Sequence, residues 1–190
     1  AMVTSDEKKN NLATIMPNYS AYQAVGIGPG IGTEKRTRKW LLHQLLVIQC
    51  PLVLDADALN AIAYEEKWHC IPKNSILTPH PKEFDRLFGL CQNSQERMLK
   101  AIEKAKELSC IVVLKGHHTL IATAEGEVWF NTTGNAGMAT GGSGDVLTGI
   151  ITGLLAQGYV PKDAALLGVW LHGQSGDIAS KRHGQEALVA

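Results

Sequence analysis

Short apolar runs at residues 23–28, 51–55, 75–77, 111–115, 119–124 and 127–131 have the length of buried strands. Between them the apolar positions recur at helical spacing. Trp40, Leu41, Leu45 and Ile48 share one face of a helix that Thr33 would cap and that runs to about residue 49. A second helix follows Asp57 and a third follows Pro81. A fourth spans about 94–108, with Met98, Ile102, Ala105 and Leu108 as its buried stripe. Strand alternating with helix predicts a parallel sheet with helices on both faces, because parallel neighbours need a crossover. Residues 122–126, ending in Glu125-Gly126, read instead as a hairpin, so the sheet turns antiparallel near one edge. Two apolar helices, 145–156 and 162–180, separated by Gly158 and Pro161, complete the pattern. No internal repeat or Pro/Ser-rich linker divides the chain, so residues 1–190 parse as a single domain.

Composition narrows the function classes. With 45% hydrophobic and 19% charged residues the chain can bury a core, which sets disorder aside. Eighteen basic residues balance eighteen acidic ones, and a net charge of +0 argues against the broad basic face of a nucleic-acid or membrane-surface binder. Cys50, Cys70, Cys91 and Cys110 contain no Cys-x-x-Cys pair, so they read as reduced, partly buried thiols and not as a zinc or redox site. No run is long and apolar enough for a membrane span, and the polar start, residues 1–11, lacks the order of a signal peptide. A cytoplasmic protein is expected. The chain begins Ala1-Met2 and enters a regular element almost at once, as a piece of something longer would.

Ligands of open α/β sheets bind beyond the carboxyl ends of the strands, so the residues after each apolar run are the ones to read for chemistry. The first stretch is Gly26-Ile27-Gly28-Pro29-Gly30-Ile31-Gly32. It stands where a dinucleotide fingerprint would, but Ile31 and Thr33 occupy the positions where that spacing needs its last glycine. The glycines let a ligand approach the backbone closely, or they make a tight structural turn. The second stretch, Leu54-Asp55-Ala56-Asp57-Ala58-Leu59-Asn60, places two carboxylates at a strand end. Asp57 reads as a helix cap. Asp55 is either hydrogen-bonded to neighbouring loops or turned to a ligand.

In the third stretch, Leu77-Thr78-Pro79-His80-Pro81-Lys82-Glu83-Phe84, Pro81 suits the first turn of a helix, which puts His80 at its entrance. His80 is there to bond the local structure or to meet a ligand. The fourth, Leu114-Lys115-Gly116-His117-His118-Thr119, sets a lysine at a strand end; His117 and His118 lack the spacing that binds metal from one helical face. The fifth is the most specific. Asn135-Ala136-Gly137-Met138-Ala139-Thr140-Gly141-Gly142-Ser143-Gly144-Asp145 runs straight into an apolar helix, whose free amides and dipole make a site for an anion such as phosphate. It lacks the Gly-Lys-Ser/Thr ending of a Walker loop, so the balancing cation must come from elsewhere, such as Lys115 or bound magnesium. Asp145 caps that helix, or it accepts a hydroxyl proton beside the phosphate cradle.

From about residue 20 onward these five motifs, in this order, resemble those of the ADP/ATP-dependent NAD(P)H-hydrate dehydratases of the ribokinase-like superfamily. Thr78-Pro79-His80-Pro81-Lys82-Glu83-Phe84 distinguishes that family from the sugar and vitamin kinases of the same fold. The resemblance implies an α/β three-layer ribokinase-like sandwich, with a mostly parallel central sheet, helices on both faces and an antiparallel edge hairpin. It implies an enzyme that returns the S epimer of hydrated NADH or NADPH to the dihydronicotinamide by phosphorylating the ring hydroxyl and eliminating phosphate. ADP or ATP would be the co-substrate, with Mg2+ and no metal site of the protein's own; bacterial-looking members with this loop generally use ADP.

By the same resemblance Asp145 is the catalytic base, and Gly28, Gly30, Asp55, Asn60, His80 and Asp145 bind the hydrated dinucleotide. Lys115, Gly116, His117, His118 and Thr119, with Gly141, Gly142, Ser143 and Gly144, bind the nucleotide. A homo-oligomer, fused to or working with an NAD(P)H-hydrate epimerase, is implied as well. Set against the family pattern, the chain is expected to lack an amino-terminal glycine-rich strand-and-helix region, the last carboxyl-terminal elements and any epimerase domain. Two other readings share the anion loop and Asp145: a ribokinase-like kinase of a vitamin precursor or sugar, and a nucleotide-sensing module without turnover.

Overall fold

The computed structural model describes residue 12 and residues 19–190; the polar opening of the chain, residues 1–11, and the regular element expected near its start lie outside the described residues. Six short strands, β1 (Val25–Ile27), β2 (Leu52–Leu54), β3 (Ile76–Leu77), β4 (Ile111–Leu114), β5 (Thr119–Ala122) and β6 (Val128–Asn131), form one sheet in sequence order. The first four run parallel, and β5 and β6 add antiparallel pairs at one edge, with the turn at Thr123–Glu127, one residue on from the expected 122–126 hairpin.

Alternation along the strands builds the layers. Leu52, Leu54, Leu77, Val112 and Leu120 point to one face, where they join Leu41, Leu59, Phe84 and Ala101. Val53, Ile76, Val113 and Ile121 point to the other, against Ile151, Leu155 and Val169. The first face is covered by α1 (Lys35–Val47), α2 (Ala56–Tyr64), α3 (Pro81–Phe88) and α4 (Ser94–Glu107). The second is covered by α5 (Ser143–Ala156) and α6 (Pro161–His183). β2, β3 and β4 are buried on both faces and so read as unbroken apolar runs without a polar alternation. Among the described residues no helix is long and apolar enough to cross a membrane.

Three local expectations are corrected. α1 starts at Lys35 after Glu34 and not at a Thr33 cap, and it ends at Val47; the Thr33 carbonyl accepts from Arg38 Nη1 at 2.7 Å. The second helix starts one residue before Asp57, so Asp55 takes the N-cap position and Asp57 is free for another bond. In α4 the fully buried positions are Ala101 and Ala105, with Met98, Ile102 and Leu108 only partly buried, because small residues let the helix lie close on β4 and β5.

Candidate active site

The parallel strands end on one side of the sheet, and there the segments after β2, β3 and β4 meet the start of α5 around a cleft of about 660 Å3. At its centre Asp55, 1% exposed, accepts from Lys115 Nζ at 2.8 Å through Oδ1 and from Thr148 Oγ1 at 2.7 Å through Oδ2. Both carboxylate oxygens are thus taken by protein donors, as a buried charge requires. Of the two readings left open for Asp55, the structure displays the internal one, although the residue still borders the cleft. Next to it Ala56 has φ +45, an unusual left-handed conformation for a residue with a side chain.

The pair lies directly under the anion loop. Ser143, Gly144 and Asp145 form the first turn of α5 and line the cleft, whose first amides have no acceptor within the helix. A Cβ on Gly144 would sit 3.2 Å from Lys115 Nζ and 3.8 Å from Asp55 Oδ2, so glycine is what brings the ammonium up to the helix start. Gly142, at φ +89, makes the turn into the helix. Gly141 and Gly142 shape this entry without lining the cleft. Asp145 is exposed, at the rim.

His80 occupies the N-cap of α3. Its Nδ1 accepts from the amides of Lys82 and Glu83 at 3.1 and 3.3 Å, while its own amide donates to Glu83 Oε2 at 2.9 Å. With Nδ1 accepting, the proton of the neutral ring is on Nε2, 3.3 Å from Glu83 Oε1 and on the cleft wall. Burial holds the imidazole below its ordinary pKa; Glu83 opposes this, and the positive charges of Lys115 and Arg86 reinforce it. His80 therefore both caps the helix and borders the cleft, so its two readings are not exclusive.

The remaining sequence candidates divide. Gly116, His117 and Thr119 line the cleft, whereas His118 stacks edge-on against His117 at 4.4 Å and is not on the wall. Gly28 and Gly30 do not line it either. At Gly28, φ +150, a Cβ would collide with the Asp55 carbonyl, so this glycine supports the central pair from behind. Gly32 donates its amide to Asp57 Oδ2 at 2.9 Å, which corrects the reading of Asp57 as a cap: the carboxylate secures the glycine loop. Asn60 faces away and accepts from Arg86 Nη1 at 2.9 Å.

Four contributors escaped the sequence reading. Thr148 is one helical turn beyond Asp145, and its only signal was a hydroxyl, shared with Thr152, in a mostly apolar helix. Glu83 lay inside a motif that drew attention only to its histidine. His172, on α6, has Nε2 3.2 Å from Ser143 Oγ and borders the cleft. Its pKa is lowered by burial and by Lys115, against the opposing pull of the Ser143 main chain. Asp177 accepts from the Gly134 amide and Asn135 Nδ2, both at 2.9 Å, and these donors hold its carboxyl below the usual range while it ties down the approach to the anion loop. Neither α6 residue has a local sequence signal, since each acts across more than 25 residues. Among the described residues no three His, Cys, Asp or Glu side chains converge.

A family model described as NAD(P)H-hydrate dehydratase matches residues 1–190. The chain is 41% identical over 185 residues to a protein of Moorella thermoacetica named bifunctional NAD(P)H-hydrate repair enzyme, a match covering 96% of this chain and 35% of that one. It resembles the ADP/ATP-dependent NAD(P)H-hydrate dehydratase of Bacillus subtilis co-crystallised with ATP and Mg2+, with TM-score 0.77 and 36% identity, over 96% of this chain and 62% of that one. A ribokinase-like superfamily protein of Enterococcus faecalis gives TM-score 0.73 and 34% identity, over 84% and 56% of the two chains. The chain thus spans between about a third and two thirds of the length of these relatives. With a mixed sheet between two helical layers, and an anion loop, ion pair and Pro-His-Pro cap converging at one end of it, this chain belongs to the NAD(P)H-hydrate dehydratase family and has its ribokinase-like α/β architecture.

Proposed function

We propose that the cleft carries out ADP- or ATP-dependent dehydration of the S epimer of NADH or NADPH hydrate. The observation that carries this reading is the close approach of the Lys115–Asp55 pair to Gly144 in the first turn of α5, one residue from Asp145. Cation and amides would stabilise charge on a migrating phosphoryl group, where positioning and electrostatics supply most of the catalysis. Asp145 would take the proton from the ring hydroxyl as its oxygen attacks phosphorus and the bond to the leaving nucleotide breaks. Loss of phosphate, together with a proton from the adjacent ring carbon, then restores the double bond. Magnesium, held by the nucleotide, would add charge neutralisation.

In this reading Gly116, His117 and Thr119 border the nucleotide, and His80, held rigid by its cap bonds, meets the dinucleotide from the opposite wall. Asp55 on the cleft wall and Gly28 behind it fix the ion pair, and Asn60, away from the wall, steadies α2 against α3 through Arg86. Because the relative from Moorella thermoacetica is named as bifunctional, an epimerase activity is expected to act beside this one. The work is that of a cytoplasmic repair enzyme.

The test supplies the purified protein with (S)-NADH hydrate and either ADP or ATP, with and without Mg2+. Recovery of dihydronicotinamide absorbance with stoichiometric phosphate release is the expected result. A stable phosphorylated product without that recovery would make the protein a kinase, and binding without turnover would make it a sensor.

A further inference from the structure

His172 was not found from sequence, and the mechanism above does not use it. Its ring, on α6, is half-buried, borders the cleft and comes within 3.2 Å of one hydroxyl, that of Ser143. Ser143 is the first residue of α5 and is itself only 9% exposed. α6 lies close against its neighbours on both sides of this residue. Gly168 lies against Ile151, where a Cβ would stand 2.7 Å from its side chain, and a Cβ on Gly173 would collide with Thr133. The imidazole is therefore pressed against the anion loop by the packing of α6.

We infer that His172 is a positioning residue that acts through Ser143: its Nε2–H donates to Ser143 Oγ and so turns the hydroxyl proton toward an anion held at the start of α5. This rests on the reading of that helix start as the phosphate site. The chemistry is one of counting. A serine hydroxyl has a single proton to donate. Were Nε2 to carry the lone pair, the hydroxyl would spend that proton on the ring and turn only lone pairs to the phosphate. With Nε2 protonated, the oxygen accepts from the histidine and its proton is left for the phosphoryl oxygen. A hydroxyl polarised in this way is also the better donor, since linked hydrogen bonds strengthen one another. The Ser143 main chain favours a protonated ring nitrogen, while burial and Lys115 keep the ring neutral.

The experiment is a double-mutant cycle in the full protein, with ADP affinity by calorimetry as the primary readout and turnover as the second. His172→Phe is expected to weaken ADP binding roughly 5–10-fold, the size of one lost hydrogen bond to a charged group. In a Ser143→Ala background the same change is expected to cost less than about twofold, because there is no hydroxyl left to orient. His172→Gln, whose amide can still donate, is expected to regain most of the loss. Equal losses in both backgrounds, or a glutamine variant as weak as the phenylalanine one, would overturn the assignment in favour of plain packing. The unmutated protein gives an independent check that needs no variant to fold: 15N spectra of its labelled imidazoles with ADP bound are expected to show His172 Nε2 protonated, and an unprotonated Nε2 would refute the relay. Wild-type protein that binds ADP but leaves the hydrate untouched would overturn the dehydratase reading alone, since the binding cycle still reports on His172. Wild-type protein that does not bind ADP would overturn both.

Discussion

Asp55 and Lys115, 60 residues apart in the chain, form an ion pair of 2.8 Å that joins the ends of β2 and β4 beneath the start of α5. The carboxylate is 1% exposed, and the lysine side chain 21%. Removing one partner from such a pair strands a buried charge, which costs about 3–5 kcal/mol. Lys115→Met is accordingly expected to lower stability by that order in urea unfolding and to abolish measurable ADP binding. Adding Asp55→Asn to Lys115→Met is expected to restore part of the stability and none of the binding. A single Lys115→Met variant as stable as the wild type would show that the pair does not carry the charge balance assigned to it.

Asp145 stands at the cleft rim in the first turn of α5, so two effects must be separated. Its favourable placement on the helix dipole is worth about 0.3–1 kcal/mol. A general base is worth about 10²–10⁴-fold in rate. Asp145→Asn is expected to cut turnover at least 100-fold, while ADP affinity stays within about threefold and the melting temperature falls by only a few degrees. Rapid turnover by this variant would remove the proton-acceptor role.

Glycines 28 and 144 serve the same ion pair from opposite sides, and their alanine variants are expected to fail differently. At Gly144 the new Cβ meets the flexible end of Lys115 at 3.2 Å, so the side chain can give way: folding survives, and ADP affinity drops. At Gly28 the new Cβ meets the rigid carbonyl of Asp55 at a φ of +150, where nothing can yield cheaply, and the loss is expected in stability itself. Thermal unfolding and ADP titration on both variants distinguish the two outcomes; equal stability losses would contradict the contrast.

Stability is expected to fall as the pH drops below about 6.5, the ordinary histidine value. His80 and His172 both have native pKa values lowered chiefly by burial, so in that window the unfolded chain takes up protons that the native rings refuse. Their contribution is complete above the ordinary value and is lost as the pH descends toward the native ones. Asp177, bonded to Asn135 and Gly134, and Asp85, bonded to Arg97, are lowered as well; they add stability above the ordinary carboxylate value of 3.8, which is lost as the pH falls through their native values. Urea midpoints measured from pH 7 to pH 5 for wild type, His80→Gln and His172→Gln check the first window. A flat wild-type profile would show that the rings titrate normally.

The strand runs, most of the helices, the parallel sheet and its antiparallel edge were legible along the chain, because each rests on local periodicity and on turn residues such as Gly126 and Pro81. So was the list of segments that meet at the cleft, since residues following parallel strands are carried to one end of the sheet. What each residue does there was less legible. In sequence Asp57 reads as the cap, yet its carboxylate reaches back to Gly32, because Asp55 takes the cap position two residues earlier.

Local order therefore determined which elements exist and which motifs stand at their ends. Only the tertiary structure decided that Asp55 spends both oxygens on Lys115 and Thr148, that Gly28 and Asn60 lie behind the wall, and that His172 and Asp177 brace the anion loop from α6. The physical reason is one of range. Helix and strand propensities are properties of a few neighbouring residues, whereas a buried charge or hydroxyl must find its partner wherever packing happens to place one.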